Sequence, residues 1–339
     1  MTSRGALTIM ACESGRQFAN RVIDSLNELV KNNFYRSKFA LKDTNETWFA
    51  NGEVKTVINE NIRGDDFYII QCIDDPFSSR SINDNFMALM SAIDAAYQSD
   101  ADRITVVIPQ FPYSRQERKK TREGITAKLV AKFIEMCGAD RVITLDIHAE
   151  AIQGFFTNVK MENLHASRTM IDHMIATYDM SNMMVVCPDV GGAERARFFS
   201  KELQTDLAIV DKARNYKKAS SIETMRLVGD VDGRDVLVVD DMIATGGTLV
   251  NACKLLKDKG AQKIYCLASL PFLNGSAVEK LNVAVSEGVI TKVVGTDAVF
   301  RGENFTKDYP WYDEISIAPL FARVIYNINM KLSVSELLR

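Results

Sequence analysis

Residues 236–248, VLVVDDMIATGGT, decide the fold. An apolar run typical of a buried strand ends in two acids, Asp240 and Asp241, and a loop of small residues follows before a helical pattern begins. Glycines let backbone N–H groups approach an anion closely, and a helix N-terminus adds a favourable dipole. The order strand, acidic pair, loop and helix therefore predicts a phosphate-binding loop. The alternative interpretation is that these residues only form a turn and cap the following helix, without binding a phosphate.

Outward from this loop, apolar strand-like runs alternate with helical patterns along the chain. The predicted strands are 67–72, 103–109, 141–145, 183–187, 207–210, 235–239 and 263–270. The predicted helices are 84–97, 127–137, 192–203 and 248–259. Strands this continuously apolar predict an α/β fold with parallel sheets covered by helices on both faces. The alternation stalls at 153–162, so we expect two domains, residues 1–157 and residues 158–339.

The composition excludes several classes of protein. The 339 residues are 47% hydrophobic with a net charge of −3, which argues against disorder and against a broad basic face for nucleic acid. The six cysteines form no CxxC pair and lie mostly in apolar runs, so we expect buried thiols in a reducing cytoplasm. No apolar run approaches the ~18 residues that span a membrane, and no membrane association is expected.

Further polar segments follow predicted strands, where ligands of parallel sheets bind. They are IPQFPYSRQERKKTREGITAKL (108–129), TLDIHAEAIQGFF (144–156) and CPDVGGAERAR (187–197). The first is densely basic, as a polyanion site requires, although most such runs are solvated turns. Lys212 and Arg214 begin a polar stretch between two strands, which by itself favours a surface loop.

The loop at 236–248 resembles the phosphoribosyl pyrophosphate (PRPP) loop of the type I phosphoribosyltransferases. The segments above, with FANGE (49–53) and SVSELL (333–338), are similar to one branch of that superfamily, the ribose-phosphate diphosphokinases or PRPP synthetases. The resemblance covers nearly the whole chain. It implies two phosphoribosyltransferase-like domains, each a mainly parallel sheet flanked by helices, with the ATP-binding stretch in the first and the PRPP loop in the second.

The resemblance also implies a reaction and a set of site residues. The diphosphoryl group of Mg-ATP passes to the C1 hydroxyl of ribose 5-phosphate, giving PRPP and AMP for nucleotide biosynthesis. The implied ATP-binding residues are Phe49, Asn51, Glu53, Arg115 and Gln116. The implied ribose 5-phosphate residues are Asp189, Asp240, Asp241, Thr245, Gly246, Gly247 and Thr248. The other implied residues are His148 and Asp189 for Mg²⁺, Lys212 and Arg214 for catalysis, and Ser333 and Ser335 for regulation.

A homo-oligomer is implied as well, because Phe49 reaches the ATP site of a neighbouring subunit in this family. The remaining histidines, His165 and His173, have no motif around them and are interpreted as ordinary residues. The lack of a GxxxxGK[ST] sequence argues against a P-loop kinase.

Three departures from the family pattern keep two alternatives open. Ala244 stands where the family commonly has an acid, Ser269-Leu270-Pro271 replaces a threonine-histidine-glycine sequence, and residues 27–48 are longer and more polar than usual. A non-catalytic regulatory subunit of the same family is one alternative. A nucleobase phosphoribosyltransferase is the other, and the doubled α/β layout and the ATP stretch argue against it.

Overall fold

The computed structural model describes residues 4–31, 38–213, 224–335 and 337. Their contacts divide the chain into two compact units. The first unit consists of Met1–His165, Asp297–Phe300 and Ser316–Arg339, and the second of Ala166–Thr296 and Arg301–Ile315. The C-terminal segment thus packs with the first unit, although it follows the second in sequence. The domain boundary expected at residues 157 and 158 stays a prediction.

The first unit is built on a five-stranded parallel sheet with the order β1-β4-β5-β6-β7. Its strands are β1 (Leu7–Ala11), β4 (Asp66–Ile70), β5 (Arg103–Val107), β6 (Arg141–Leu145) and β7 (Lys160–Leu164). Its helices are α1 (Arg16–Leu29), α2 (Ile82–Gln98), α3 (Thr126–Met136) and α9 (Ala318–Asn329). The interior strands β4 and β6 are buried along their whole length, which explains their continuous apolar sequences.

Local sequence signals account for several of these elements. Ser81 and Asp84 form a reciprocal capping box at the start of α2, so the helix begins at Ile82. The sequence 44–58 forms an antiparallel hairpin of β2 (Thr44–Trp48) and β3 (Val54–Ile58). Strand β7, in the region where the alternation stalls, was not predicted.

The second unit is built on a seven-stranded sheet with the order β10-β9-β8-β11-β12-β13-β14, in which only the β9–β10 pair is antiparallel. The strands are β8 (Met183–Cys187), β9 (Leu207–Ala213), β10 (Thr224–Val228), β11 (Asp235–Met242), β12 (Ile264–Leu270), β13 (Lys292–Thr296) and β14 (Tyr312–Ile315). The helices are α4 (Ser167–Thr177), α5 (Ala193–Leu203), α6 (Gly247–Asp258), α7 (Ala277–Ser286) and α8 (Phe305–Asp308). The two units confirm the predicted α/β class with parallel sheets flanked by helices.

Two further features of the structure concern the cysteines and the lengths of the helices. All six cysteines are free thiols, and five of them are buried. Within the part of the chain that the structure describes, none of the helices is both long enough and apolar enough to cross a membrane.

A buried carboxylate holds the C-terminal helix in the first unit. Asp297 is fully buried, and its carboxylate accepts hydrogen bonds from Arg21 (3.0 Å), from the hydroxyl of Ser316 (2.6 Å) and from the backbone N–H of Ile317 (2.7 Å). The last of these groups lies just before α9. This carboxylate therefore joins α1 to the start of α9.

We expect Asp297→Ala to lower the free energy of unfolding by about 2–4 kcal/mol, because the buried N–H of Ile317 and the more exposed side chains of Arg21 and Ser316 lose their acceptor. Chemical denaturation followed by circular dichroism measures the change. The matched control is Glu28→Ala, which breaks an exposed pair with Lys31 and should change stability by about 0.5 kcal/mol or less. Equal effects of the two substitutions would contradict the anchoring role of Asp297.

Candidate active site

The second sheet contains a topological switch point. Strands β8 and β11 are parallel neighbours, but α5 leads from β8 to β9 on one side, whereas α6 leads from β11 to β12 on the other. Loops that leave neighbouring strands in opposite directions open a crevice at their carboxyl ends, and ligands of α/β sheets bind in such crevices. The first sheet runs in sequence order from β1 to β7 and has no such reversal among its described strands.

The acidic pair lies at the carboxyl end of β11. The strand continues to Met242 rather than ending at residue 239, so Asp240 and Asp241 are among its last residues. The backbone N–H of Asp241 donates to the Asp240 carboxylate at 2.8 Å. Burial, followed by the negative charges of Asp241 and Asp189, raises the pKa of Asp240 from 3.8 to about 8. Asp240 therefore keeps its proton near neutral pH.

An arginine that sequence reasoning did not single out partly balances this charge. Arg195 in the first turn of α5 places Nη1 3.7 Å from Oδ1 of Asp241, which is 7% exposed. The residue lies in the CPDVGGAERAR segment, so the motif contained it. Only the pairing of β8 with β11 shows that it reaches the acidic pair.

The predicted phosphate loop has the geometry that an anion site requires. Gly246 takes a left-handed backbone with φ 72°, and α6 begins at Gly247. Thr245 and Thr248 are exposed. The first N–H groups of a helix have no acceptor within the helix, so the start of α6 can offer donors to an anion.

Asp189 follows the neighbouring strand β8. Its Oδ1 accepts from the N–H of Gly192 at 3.1 Å and caps the short turn Val190–Gly192. The thiol of Cys187 donates to the carbonyl oxygen of Asp189 at 2.6 Å. Because Asp189 contributes to the raised pKa of Asp240, the structure brings these acids together. Their role in binding a sugar stays a prediction.

Two loops of the first unit carry other predicted site residues. Arg115 and Gln116 are exposed in the loop after β5, where the N–H of Gln116 donates to the carbonyl of Tyr113 at 2.9 Å. His148 is exposed in the loop after β6. Strands β5 and β6 are parallel neighbours, so both loops leave the same edge of the sheet.

A second histidine lies close to this edge. Asp146 is buried with φ 38°, and His165 Nδ1 lies 3.1 Å from its Oδ1. The interpretation of His165 as an ordinary residue missed this contact. No motif surrounds His165, and the contact exists because the end of β7 lies beside the end of β6.

The FANGE segment forms the turn of the β2–β3 hairpin. The N–H of Phe49 donates to the carbonyl of Glu53 at 2.9 Å, and the N–H of Glu53 donates to the side-chain oxygen of Asn51 at 3.2 Å. The Phe49 ring is 48% exposed. An aromatic ring displayed at a hairpin turn is available for stacking.

Four predicted residues remain, and the structure describes three of them. Lys212 is in β9, opposite Met225 of β10, and Arg214 lies outside the described residues. Ser333 and Ser335 are exposed after α9. The carbonyl of Ser333 accepts from the side chain of Asn327 at 2.8 Å.

Protein side chains alone do not form a metal cage in the described residues. No group of three or more His, Cys, Asp or Glu residues there is arranged to hold a metal ion. Mg²⁺ is commonly bound by one or two protein groups together with substrate phosphates and waters. Binding of Mg²⁺ by His148 of the first unit and by Asp189 of the second unit stays a prediction.

A phosphate loop behind an acidic pair at a switch point defines a protein of the phosphoribosyltransferase class. Residues 7–138 match the family model described as the N-terminal domain of ribose phosphate pyrophosphokinase, and residues 160–297 match the phosphoribosyl transferase domain model. A ribose-phosphate pyrophosphokinase of Chlorobaculum tepidum is 44% identical over 290 residues, which cover 85% of this chain and 85% of that relative.

Two further comparisons cover nearly the whole chain. Ribose-phosphate pyrophosphokinase A of Dictyostelium discoideum is 41% identical, over 98% of this chain and 97% of the relative. The crystal structure of phosphoribosylpyrophosphate synthetase from Mycobacterium smegmatis superposes with a TM-score of 0.84 at 30% identity, over 96% of this chain and 99% of that one. The chain belongs to the ribose-phosphate pyrophosphokinase family.

The raised pKa of Asp240 predicts an unusual pH dependence of stability. Between about pH 4 and about pH 8 the folded chain keeps a proton that the unfolded chain has lost, so this group lowers stability increasingly as pH rises through that window. We expect Asp240→Asn to raise the free energy of unfolding by about 1–2 kcal/mol near pH 8 and by much less near pH 4.

Denaturation midpoints measured across that range test this expectation. The control Asp172→Asn changes an exposed acid of α4 and should give no gain that grows with pH. A gain for Asp240→Asn that is the same near pH 4 and near pH 8 would show that the pKa of Asp240 is not raised.

Proposed function

We propose that this chain catalyses transfer of the diphosphoryl group of ATP to the C1 hydroxyl of ribose 5-phosphate, giving PRPP and AMP. The acidic pair beside the phosphate loop at the switch point carries the proposal. Relatives that share more than 40% of their residues with this chain are named for this activity, which supports it.

In the proposal, the second unit binds the sugar phosphate. Backbone N–H groups of Gly246 and Gly247 and the hydroxyls of Thr245 and Thr248 donate to the 5-phosphate. Asp241 accepts hydrogen bonds from the ribose hydroxyls, as does Asp189. Asp240 contributes both a donor and an acceptor, because its raised pKa keeps it protonated near neutral pH.

In the proposal, the first unit binds ATP. Arg115 stacks on the adenine ring and Gln116 hydrogen-bonds the nucleotide. Phe49 stacks on the adenine of a neighbouring subunit, with Asn51 and Glu53 hydrogen-bonding near it, so the protein is a homo-oligomer with shared ATP sites. The exposed ring of Phe49 in its hairpin turn is consistent with this role.

The same scheme assigns the charged groups at the reacting phosphates. His148 and Asp189 help to hold Mg²⁺, which neutralises the negative charge of the phosphates when it is bound. The C1 hydroxyl oxygen attacks the β-phosphorus in line and its proton passes to solvent water. The bond between the β-phosphorus and the α-phosphate oxygen breaks, and AMP leaves. Lys212 and Arg214 stabilise the charge that develops on the transferring group.

The remaining proposals concern regulation and location. Ser333 and Ser335 bind phosphate or nucleotide effectors at a subunit interface, as in the family. Their exposure after α9 leaves the two hydroxyls accessible for such a role. The protein acts in the cytoplasm, a reducing compartment in which its six free thiols would persist.

A coupled assay for AMP release from ATP and ribose 5-phosphate tests the function. We expect turnover by the natural sequence, and a kcat for Lys212→Ala that is lower by about 100-fold or more with little change in KM, because its charge acts mainly in the transition state. Turnover that appears only in Ala244→Asp would identify a regulatory subunit instead. If AMP forms only when a nucleobase and PRPP are supplied in place of ATP and ribose 5-phosphate, the protein is a nucleobase transferase.

We expect His148→Ala to raise the Mg²⁺ concentration needed for half-maximal activity by about tenfold, which corresponds to about 1.4 kcal/mol. The change reflects the loss of one Mg²⁺ ligand. The kcat measured at saturating Mg²⁺ should fall by less than this factor. His173→Ala, at a histidine outside the proposed site, is the control. An unchanged Mg²⁺ titration would remove His148 from the metal site.

A further inference from the structure

A lysine outside the proposed machinery contacts the phosphate loop. Lys280 lies in α7, and its Nζ donates to the carbonyl oxygen of Thr245 at 3.3 Å. No carboxylate in the described part of the chain forms an ion pair with Lys280, which is exposed. Lys254 on the neighbouring helix α6 lies 3.5 Å from Glu287, so its charge is balanced. Lys280 therefore brings an uncompensated positive charge to the loop.

The chain leading into α7 also supports the loop. The N–H of Asn274 donates to the carbonyl of Ala244 at 2.8 Å, and the N–H of Leu273 donates to the carbonyl of Ile243 at 2.9 Å. A Cβ built on Gly246 would lie 3.7 Å from the Cα of Ala277, the first residue of α7. The start of α7 thus packs directly on the loop, and the Lys280 contact is one of several on the same side.

The contact has a geometric consequence for anion binding. A trans peptide is planar, so the C=O of Thr245 and the N–H of Gly246 point in opposite directions. A carbonyl held by Lys280 therefore turns the N–H of Gly246 away from α7. The reverse orientation of this peptide would present a carbonyl oxygen in place of an N–H, and an oxygen there repels an anion.

We propose that Lys280 is a positioning residue for the phosphate loop. By holding the Thr245 carbonyl it fixes the Thr245–Gly246 peptide with the N–H available to the phosphate monoester of the sugar substrate. This inference rests on the proposed function, because it assigns ribose 5-phosphate to the loop. Lys280 acts through the peptide and so affects substrate affinity more than turnover.

Titration calorimetry and kinetics with three variants test the proposal. We expect Lys280→Met to weaken ribose 5-phosphate binding and raise its KM by about tenfold, with kcat and the KM for ATP changing about twofold or less. Lys280→Arg keeps a cation of similar reach and should restore most of the affinity. The control Lys254→Met removes a lysine of α6 that makes no contact with the loop, and it should bind as the natural sequence does.

A spectroscopic readout reports the peptide itself and does not depend on activity. Thr245–Gly246 is the only Thr-Gly dipeptide in the chain. Labelling threonine with ¹³C at the carbonyl and glycine with ¹⁵N therefore gives a single HNCO signal. We expect Lys280→Met to shift this signal, and Lys254→Met to leave it in place.

The outcomes separate the inference from the function. Binding and turnover by the natural sequence, with affinity and HNCO signal unchanged in Lys280→Met, would overturn the positioning role alone. An equal rise in the KM values for ATP and ribose 5-phosphate would also overturn it, because a general structural defect acts on both. Absence of ribose 5-phosphate binding by the natural sequence would overturn the proposed function together with this inference.

Discussion

Two carboxylates held side by side at the end of β11 are the constraint on which the second unit depends. Ionising both in a partly buried place is unfavourable, and Asp189 adds a third negative charge nearby. Two features of the structure reduce the repulsion between these carboxylates. Asp240 keeps a proton near neutral pH, and Arg195 lies 3.7 Å from Asp241. The site therefore retains acceptors for hydroxyl groups without the full repulsion of three charges beside a phosphate.

Backbone placement, more than side-chain chemistry, makes the adjoining loop suitable for an anion. Gly246 has the positive φ that most side chains avoid, and the chain must turn there for α6 to begin at the next residue. Neighbouring backbone groups fix the rest of the loop through the carbonyls of Ile243 and Ala244. These bonds hold the start of the loop in place, and donors that are held in place before a ligand arrives bind an anion without first being ordered.

The sequence predicted the interior of the molecule better than its edges. Strands such as β6 and β8 are buried throughout, so their apolar runs are unmistakable. Strand β7 reads KMENL and lies at the edge of its sheet, so it has no such run. The return of α9 to the first unit depends on packing between residues far apart in sequence, such as Phe18 and Phe321, whose ring centroids lie 5.3 Å apart. Local patterns cannot show such a contact.

The same difference separates the site residues that the sequence predicted from those that it missed. Motifs identified residues such as Asp240, because such residues lie together in one contiguous stretch of sequence. They missed Arg195 and His165, since each reaches its partner only through the pairing of neighbouring strands. Contacts of this kind require the sheet order, which no single segment encodes.

The alanine at position 244 can be judged on the same physical grounds. Ala244 is held through its carbonyl, which accepts from the N–H of Asn274, and a backbone bond of this kind does not depend on the side chain. The loop therefore needs no carboxylate at 244 to keep its shape. In the proposed function, Asp189, Asp240 and Asp241 supply the acceptors for the sugar hydroxyls, and a further negative charge within the loop would repel a phosphate. An alanine in this position is compatible with a binding-competent loop, which weakens the case for a non-catalytic regulatory subunit.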